Sequence, residues 1–257
     1  MPKKVSIIET RLFSREGKIK EVFTQVIGAI PKGSKVWVIG GAARNVIYFE
    51  VFRKALPQRD FDLVFIGDPK NFIENLRKKG FRYGRIRRKE EVVLRKELVK
   101  NPKSTAEYLF LDIHLSKEKS IMKNLERNAA FTINGFAIPA EKYLSKQILS
   151  YTKYLPHAMI DLKQKQLRLN PNGYQGHPGN LFSMLRFMSA GFKAPKKKEV
   201  ELLLKELPNL EEWRFERNVQ KVFSYVGGEK KARALVRSLG ITYDVFGFKI
   251  LKQRLKT

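Results

Sequence analysis

The spacing of apolar positions changes several times along the chain, and each change predicts an element. Val22, Phe23, Val26, Ile27 and Ile30 recur at helical spacing, so Gly17–Ile30 reads as a helix closed by the turn Pro31–Ser34. A strand-like VSIIE precedes it at residues 5–9. Val36–Ile39 is a short unbroken apolar run, the pattern of a buried strand. Gly40 and Gly41 follow and let the backbone turn tightly and approach something large. Ala42–Lys54 then predicts a helix with Arg44 in its first turn. The chain returns through Pro57 and Arg59 to Asp60, Phe61 and Asp62, which lead into a second strand, Leu63–Ile66. Asp68-Pro69 starts a helix over Asn71–Lys79, closed by Gly80. Residues 81–100 alternate charged and apolar side chains and predict a strand around Val92–Leu94, before a turn at Asn101–Thr105. Tyr108–Leu115 is the third strong strand. A helix over Ser116–Arg127 follows, with Ser116 as N-cap, and Asn128–Ile138 reads as half strand, half turn.

The pattern changes near Pro139. Beyond it come the amphipathic stretches LSKQILSYTKYL and MIDLKQKQLRL and a turn-rich loop at residues 170–180. Helices are then expected at Leu181–Gly191, Lys196–Leu207, Phe215–Val226 and Lys230–Leu239, ahead of a basic amphipathic tail. Lys196–Lys198 at a helix start oppose the helix dipole, which points to a solvated or RNA-facing role. No internal repeat interrupts this order. The expected architecture is α+β: a mixed α/β domain over residues 1–140 and a helical domain over residues 141–257.

Charge narrows the partners. The chain has 52 Lys plus Arg against 25 Asp plus Glu, a formal net charge of +27. Nucleic acid is the first partner such an excess favours, an anionic membrane surface the second. No apolar run approaches the ~20 residues a membrane helix needs, and the N-terminus lacks the features of a secretory signal. There is no cysteine, which excludes disulfides, thiolate catalysis and thiolate zinc sites and fits a cytoplasmic protein.

The chemistry-bearing residues fall on the strands. Asp60 and Asp62 are two apart, so on an extended strand they point to the same side. Two carboxylates so placed repel each other unless a cation sits between them, and a divalent metal with oxygen ligands is the usual solution. Asp112 is the one acid in the apolar run YLFLDIHL and is costly there unless paired or facing a site. It could be a metal ligand, a general base, or the partner of a nearby Lys or Arg. His114 shares its side of the strand and reads as an ordinary strand residue. Gly40 and Gly41 sit at a helix N-terminus, which suits phosphate, with Arg44 one turn in to add a charge-assisted contact. Arg85, Arg87, Arg88 and Lys196–Lys198 are candidate RNA contacts in so basic a chain.

Four segments in order, GGAAR at residues 40–44, RDFDLVFIG at 59–67, FLDIHL at 110–115 and FTINGFAI at 131–138, resemble the head domain of class II tRNA nucleotidyltransferases (CCA-adding enzymes) and bacterial poly(A) polymerases. That family carries GGxVRD, then DxD, then RRDFTINA. The likeness covers roughly residues 30–140, and the LRFMSAGFKA region resembles the start of its neck helices. It implies a polymerase-β-like nucleotidyltransferase head, a mixed sheet with flanking helices, followed by an all-helical neck. It further implies Mg2+ held by Asp60 and Asp62, with Asp112 at the place of a third carboxylate. Gly40, Gly41 and Arg44 match the segment that holds the nucleoside triphosphate; Asn134 lies in the FTIN core and Arg127 stands near that motif's arginines.

The departures have consequences. Asn45 stands where the family has Asp, and Asn128-Ala129-Ala130 replace RRD. Met122-Lys123-Asn124 replace an acidic cluster, and the base-reading EDxxR corresponds to Gly176–Asn180, with His177 at the nucleotide-facing end of the neck. The metal chemistry carries over and the family's nucleotide choice does not. The expected reaction is template-independent addition of nucleotides from NTP, ATP foremost, to an RNA 3′ end such as that of tRNA. Two Mg2+ ions about 4 Å apart would be bridged by Asp60 and Asp62. A non-catalytic RNA-binding protein on the same fold is the main rival, and transfer to a small molecule or a protein is the third reading. The chain also stops where family members continue into body and tail domains, which leaves a role for a partner subunit.

Overall fold

In the computed structural model residues 17, 19–54, 60–88, 91–99, 107–173 and 178–248 are described. The VSIIE strand, the return through Pro57–Arg59, the turn at 101–105 and His177 lie outside them, as do the side chains of Arg85, Arg87 and Arg88.

A helix over residues 19–27 (α1) leads through a turn to β1 (Lys35–Ile39) and α2 (Gly40–Phe52). Then come β2 (Asp60–Ile66), α3 (Pro69–Lys78), β3 (Arg82–Arg88), β4 (Glu91–Val99) and β5 (Glu107–Leu115). After α4 (Ile121–Asn128), a 3-10 turn at Thr132–Asn134 precedes β6 (Phe136–Pro139), α5 (Ile148–Tyr151) and β7 (Lys153–Tyr154). The described strands form one sheet in the order β3-β4-β5-β2-β1-β6-β7. The central β2–β5 pair is parallel, and β1–β2, β1–β6, β3–β4 and β4–β5 are antiparallel. Helices α6 (Ala158–Gln164), α7 (Asn180–Ser189), α8 (Lys197–Glu206), α9 (Glu212–Val226) and α10 (Glu229–Ser238) follow. The α+β order expected from the pattern is the one observed.

The chain divides into two units. The first joins Met1–Asn124 with Phe136–Lys153, and the second joins Leu125–Gly135 with Tyr154–Thr257. The FTIN segment therefore belongs to the second unit and residues 141–153 to the first.

In the first unit, the odd positions of β2 face helices. Phe61 stacks on Phe23 of α1 with centroids 4.8 Å apart, and Phe65 stacks on Phe72 of α3 at 5.0 Å. All four rings are at most 1% exposed, and each contributes about 1.5–3 kcal/mol of apolar burial. Because side chains alternate along a strand, the even positions Asp60 and Asp62 turn to the opposite face. Tyr143 locks the start of α2: its ring lies edge-on to Phe61 at 5.5 Å and its hydroxyl donates to the Ala42 carbonyl at 3.3 Å. Burial pushes its phenol well above the ordinary tyrosine value.

In the second unit, Phe182 of α7 meets Phe215 of α9 edge-on at 5.3 Å. Phe131 bridges Leu169 and lies edge-on to Phe187 at 5.8 Å. Beside it the Thr132 hydroxyl donates to Asp161 at 2.7 Å, and the Arg168 guanidinium holds the same carboxylate at 3.1 Å. Asp161 is fully buried. The Asn170 side-chain amide donates to the carbonyls of Ala129 at 2.7 Å and Glu126 at 2.8 Å, satisfying groups left open at the end of α4.

The structure corrects one sequence expectation and adds to two others. Helix α4 starts at Ile121, not at Ser116; the Ser116 hydroxyl instead accepts from the Glu118 N–H at 3.1 Å in a turn ahead of the helix. Arg82–Arg88 forms a strand that the sequence reading left unassigned. The basic start of α8 is offset locally: Glu199 in its first turn accepts from the N–H groups of Lys196 at 2.9 Å and Leu169 at 2.8 Å.

Candidate active site

The site is built where β1 ends and α2 begins. Ile39 is extended, Gly40 turns with φ +62°, and α2 starts at once. Across the sheet Ile39 pairs with Asp62, which pairs on its other side with Asp112 of β5. Asp60 pairs with Phe110 in the same parallel ladder. Neighbours in register across two strands point to the same face, about 4.8 Å apart. The register therefore puts Asp60, Asp62 and Asp112 on one face, with Asp62 central, beside the first turn of α2.

Gly40 is fitted to that carboxylate. A Cβ added at Gly40 would lie 2.7 Å from Asp62 Oδ2 and 3.5 Å from its Cγ. The turn thus demands glycine twice, for its backbone conformation and for the room it leaves the acid. At Gly41 an added Cβ would meet only the Arg44 guanidinium, at 3.8 Å. Both Nε and Nη2 of Arg44 donate to Asn45 Oδ1, at 3.2 and 2.9 Å. Asn45 thus supplies an acceptor where the resembled family has a carboxylate, and it does so without a negative charge.

The donor set suits a hard cation. Asp62 and Asp112 are adjacent carboxylates at the N-terminus of a helix, with Asp60 one step along the same face. Among the described residues no three carboxylate or imidazole groups are gathered tightly enough to hold an ion by themselves. Mg2+ does not need such a cage: it keeps several waters and binds through one or two carboxylates plus substrate phosphates. The residues fit Mg2+ bound together with a triphosphate.

The other candidates are dispersed. Arg127 is exposed in the last turn of α4, and Asn134 is half-buried at the end of the 3-10 turn; both belong to the second unit. His114 sits one step beyond Asp112, its Nδ1 3.5 Å from Glu91 of β4. The sequence reading did not anticipate Tyr143, Thr132, Asp161 and Arg168 as the groups that hold α2 and the FTIN segment. Asp161 and Arg168 are seven apart in an amphipathic stretch, and nothing in that spacing marks them as a pair.

Comparison with known proteins bears on the fold. No family model and no curated protein match the sequence. Solved structures do: the Thermotoga maritima CCA-adding enzyme complexed with tRNA(CCA) is 18% identical, with a TM-score of 0.58 over 93% of this chain. A CCA-adding enzyme complexed with ATP is 17% identical over 87% of this chain, with a TM-score of 0.60. A tRNA-processing enzyme with CTP is 21% identical over 81%, with a TM-score of 0.54. The chain spans about half the length of these proteins, 52%, 52% and 54% respectively. It has the nucleotidyltransferase head-plus-neck fold of the CCA-adding enzymes.

Proposed function

We propose that this protein is a template-independent RNA nucleotidyltransferase that transfers nucleotides from NTP to an RNA 3′ end. The observation that carries the reading is the fit of Gly40 to Asp62, which shares one face of the sheet with Asp60 and Asp112. Asp62 is seated against the turn that opens α2, at a helix N-terminus where anionic phosphate is also favoured.

Asp60 and Asp62 would hold Mg2+, with Asp112 as the third carboxylate. Bound there, it would supply positive charge that favours ionisation of the attacking hydroxyl and offsets the charge on the departing pyrophosphate. The backbone N–H groups of Gly40 and Gly41 meet the triphosphate, and Arg44, oriented by Asn45, adds a charged contact to it. The net charge of +27 draws in the polyanionic acceptor. ATP is the nucleotide we assign, tRNA the first acceptor and the cytoplasm the compartment, with residues 1–140 as head domain and 141–257 as neck. The resemblance also assigns nucleotide contacts to Arg127, Asn134 and His177; each predicts a higher KM for NTP when replaced by Ala.

Incubation with Mg2+, each labelled NTP in turn and total RNA tests the reading, with Asp60→Ala/Asp62→Ala as control. Label on RNA that needs Mg2+ and both acids supports it. Tight, salt-sensitive RNA binding without label would replace it with the non-catalytic reading, and label on a protein or a small acceptor would replace it with the third.

A further inference from the structure

The face that carries the acids continues across β5, β4 and β3, and there it bears groups that metal binding does not use. On β5, Leu109, Leu111 and Ile113 are buried, so Tyr108, Phe110, Asp112 and His114 share the opposite face. The register extends one row of that face across four strands. Phe110 lies between Asp60 of β2 and Arg95 of β4, and Arg95 lies beside Arg82 of β3. The row reads carboxylate, phenyl, guanidinium, guanidinium. Phe110 is 38% exposed. The Tyr108 ring is 6.3 Å from that of Phe110 and has the Arg95 guanidinium 4.9 Å from its centroid. Acids flank the row along the strands: Glu97 lies opposite Tyr108 on one side, and Glu91 pairs with His114 on the other.

We propose that this row is the landing site for the 3′-terminal nucleotides of a single-stranded RNA acceptor. Phe110, one strand step from Asp60, stacks on a terminal base, and Arg95 and Arg82 take the phosphates behind it. The 3′ hydroxyl then lies on the side of Asp60 and Asp62. Aromatic rings interleaved with guanidinium groups are the chemistry of sequence-tolerant single-strand binding. The charge of +27 favours a polyanion over an ordinary protein surface. The proposal rests on the reading of Asp60, Asp62 and Asp112 as the centre of nucleotidyl transfer.

The test uses the full chain and a short single-stranded RNA with 2-aminopurine at its 3′ end. Stacking on Phe110 quenches the probe. Phe110→Tyr keeps the quenching, whereas Phe110→Ala loses it and binds about tenfold more weakly, the low end of the range for one base–aromatic stack. Arg95→Gln lowers the slope of log K against log salt by about 0.7, one single-strand phosphate. Unchanged affinity and quenching in Phe110→Ala would overturn the proposal, as would displacement of the RNA by an equal concentration of polyglutamate. Phe110-dependent quenching on RNA that receives no nucleotide sinks the transferase reading and leaves the landing site standing. Incorporation whose KM for RNA is unmoved by Phe110→Ala does the reverse.

Discussion

Replacing Gly40 by Ala probes the site through its backbone. Gly40 has φ +62°, so any Cβ there incurs the left-handed penalty of about 1 kcal/mol. The added Cβ would also lie 2.7 Å from Asp62 Oδ2, where ordinary contact begins at 3.4 Å. The carboxylate must therefore retreat by 3.4 − 2.7 = 0.7 Å, or the turn must open by as much. Gly33 is the matched control: its φ is +82° and an added Cβ would meet nothing within 4 Å. Gly33→Ala thus carries the conformational cost alone. Each variant is expected to lower Tm by a few degrees, at roughly 2–4 °C per kcal/mol for a chain of this size. Only Gly40→Ala is expected to lose catalysis, by about a hundredfold, because displacing a catalytic group by about 1 Å costs that much. Thermal unfolding and single-turnover nucleotide incorporation on both variants decide it. Equal activity in the two would refute the reasoning, since Asp62 would then not need the position that Gly40 leaves open.

Three further outcomes follow from the packing and the charge. Asp161→Ala leaves the Thr132 hydroxyl without its buried acceptor and frees the half-exposed Arg168 guanidinium, and lowers unfolding stability by about 1–3 kcal/mol in urea denaturation. Tyr143→Phe removes the hydrogen bond to the Ala42 carbonyl, costs about 1 kcal/mol by the same measurement and leaves the sheet core intact. Asp112→Asn keeps the fold and lowers incorporation, and raising Mg2+ recovers part of the loss if the residue is a ligand; a pH profile that loses its acidic limb would assign it as the base instead.

The strand–turn–helix–strand segment around Gly40 was legible because apolar period and glycine placement change together there, and both are local signals. The three carboxylates were legible as types and as same-face pairs. Their order across the sheet was not, because the β2–β5 pairing is parallel and joins residues about 50 apart in sequence. Arg82–Arg88 hid as a strand because an edge strand carries many charges and covers only part of the core. The α4 start was misplaced because Ser116 carries a local turn as readily as a helix cap. The division into units was hidden for a related reason. The sequence changes character once, near Pro139, whereas the chain leaves and re-enters the first unit at Asn124 and Phe136 before leaving it again after Lys153. Asp161, Thr132 and Tyr143 matter through tertiary partners, and no period announces them.

If Asp62 and its neighbours catalyse transfer to an RNA 3′ hydroxyl, the chemistry of the acceptor's end decides whether label is incorporated. Two batches of one RNA, one with a free 3′ hydroxyl and one ending in a 3′-deoxynucleotide, are incubated with labelled ATP and Mg2+. Wild-type protein is predicted to label only the free hydroxyl, and Asp62→Ala to label neither. Equal labelling of both ends, or undiminished labelling by Asp62→Ala, would rule out Asp62-dependent transfer to the 3′ hydroxyl.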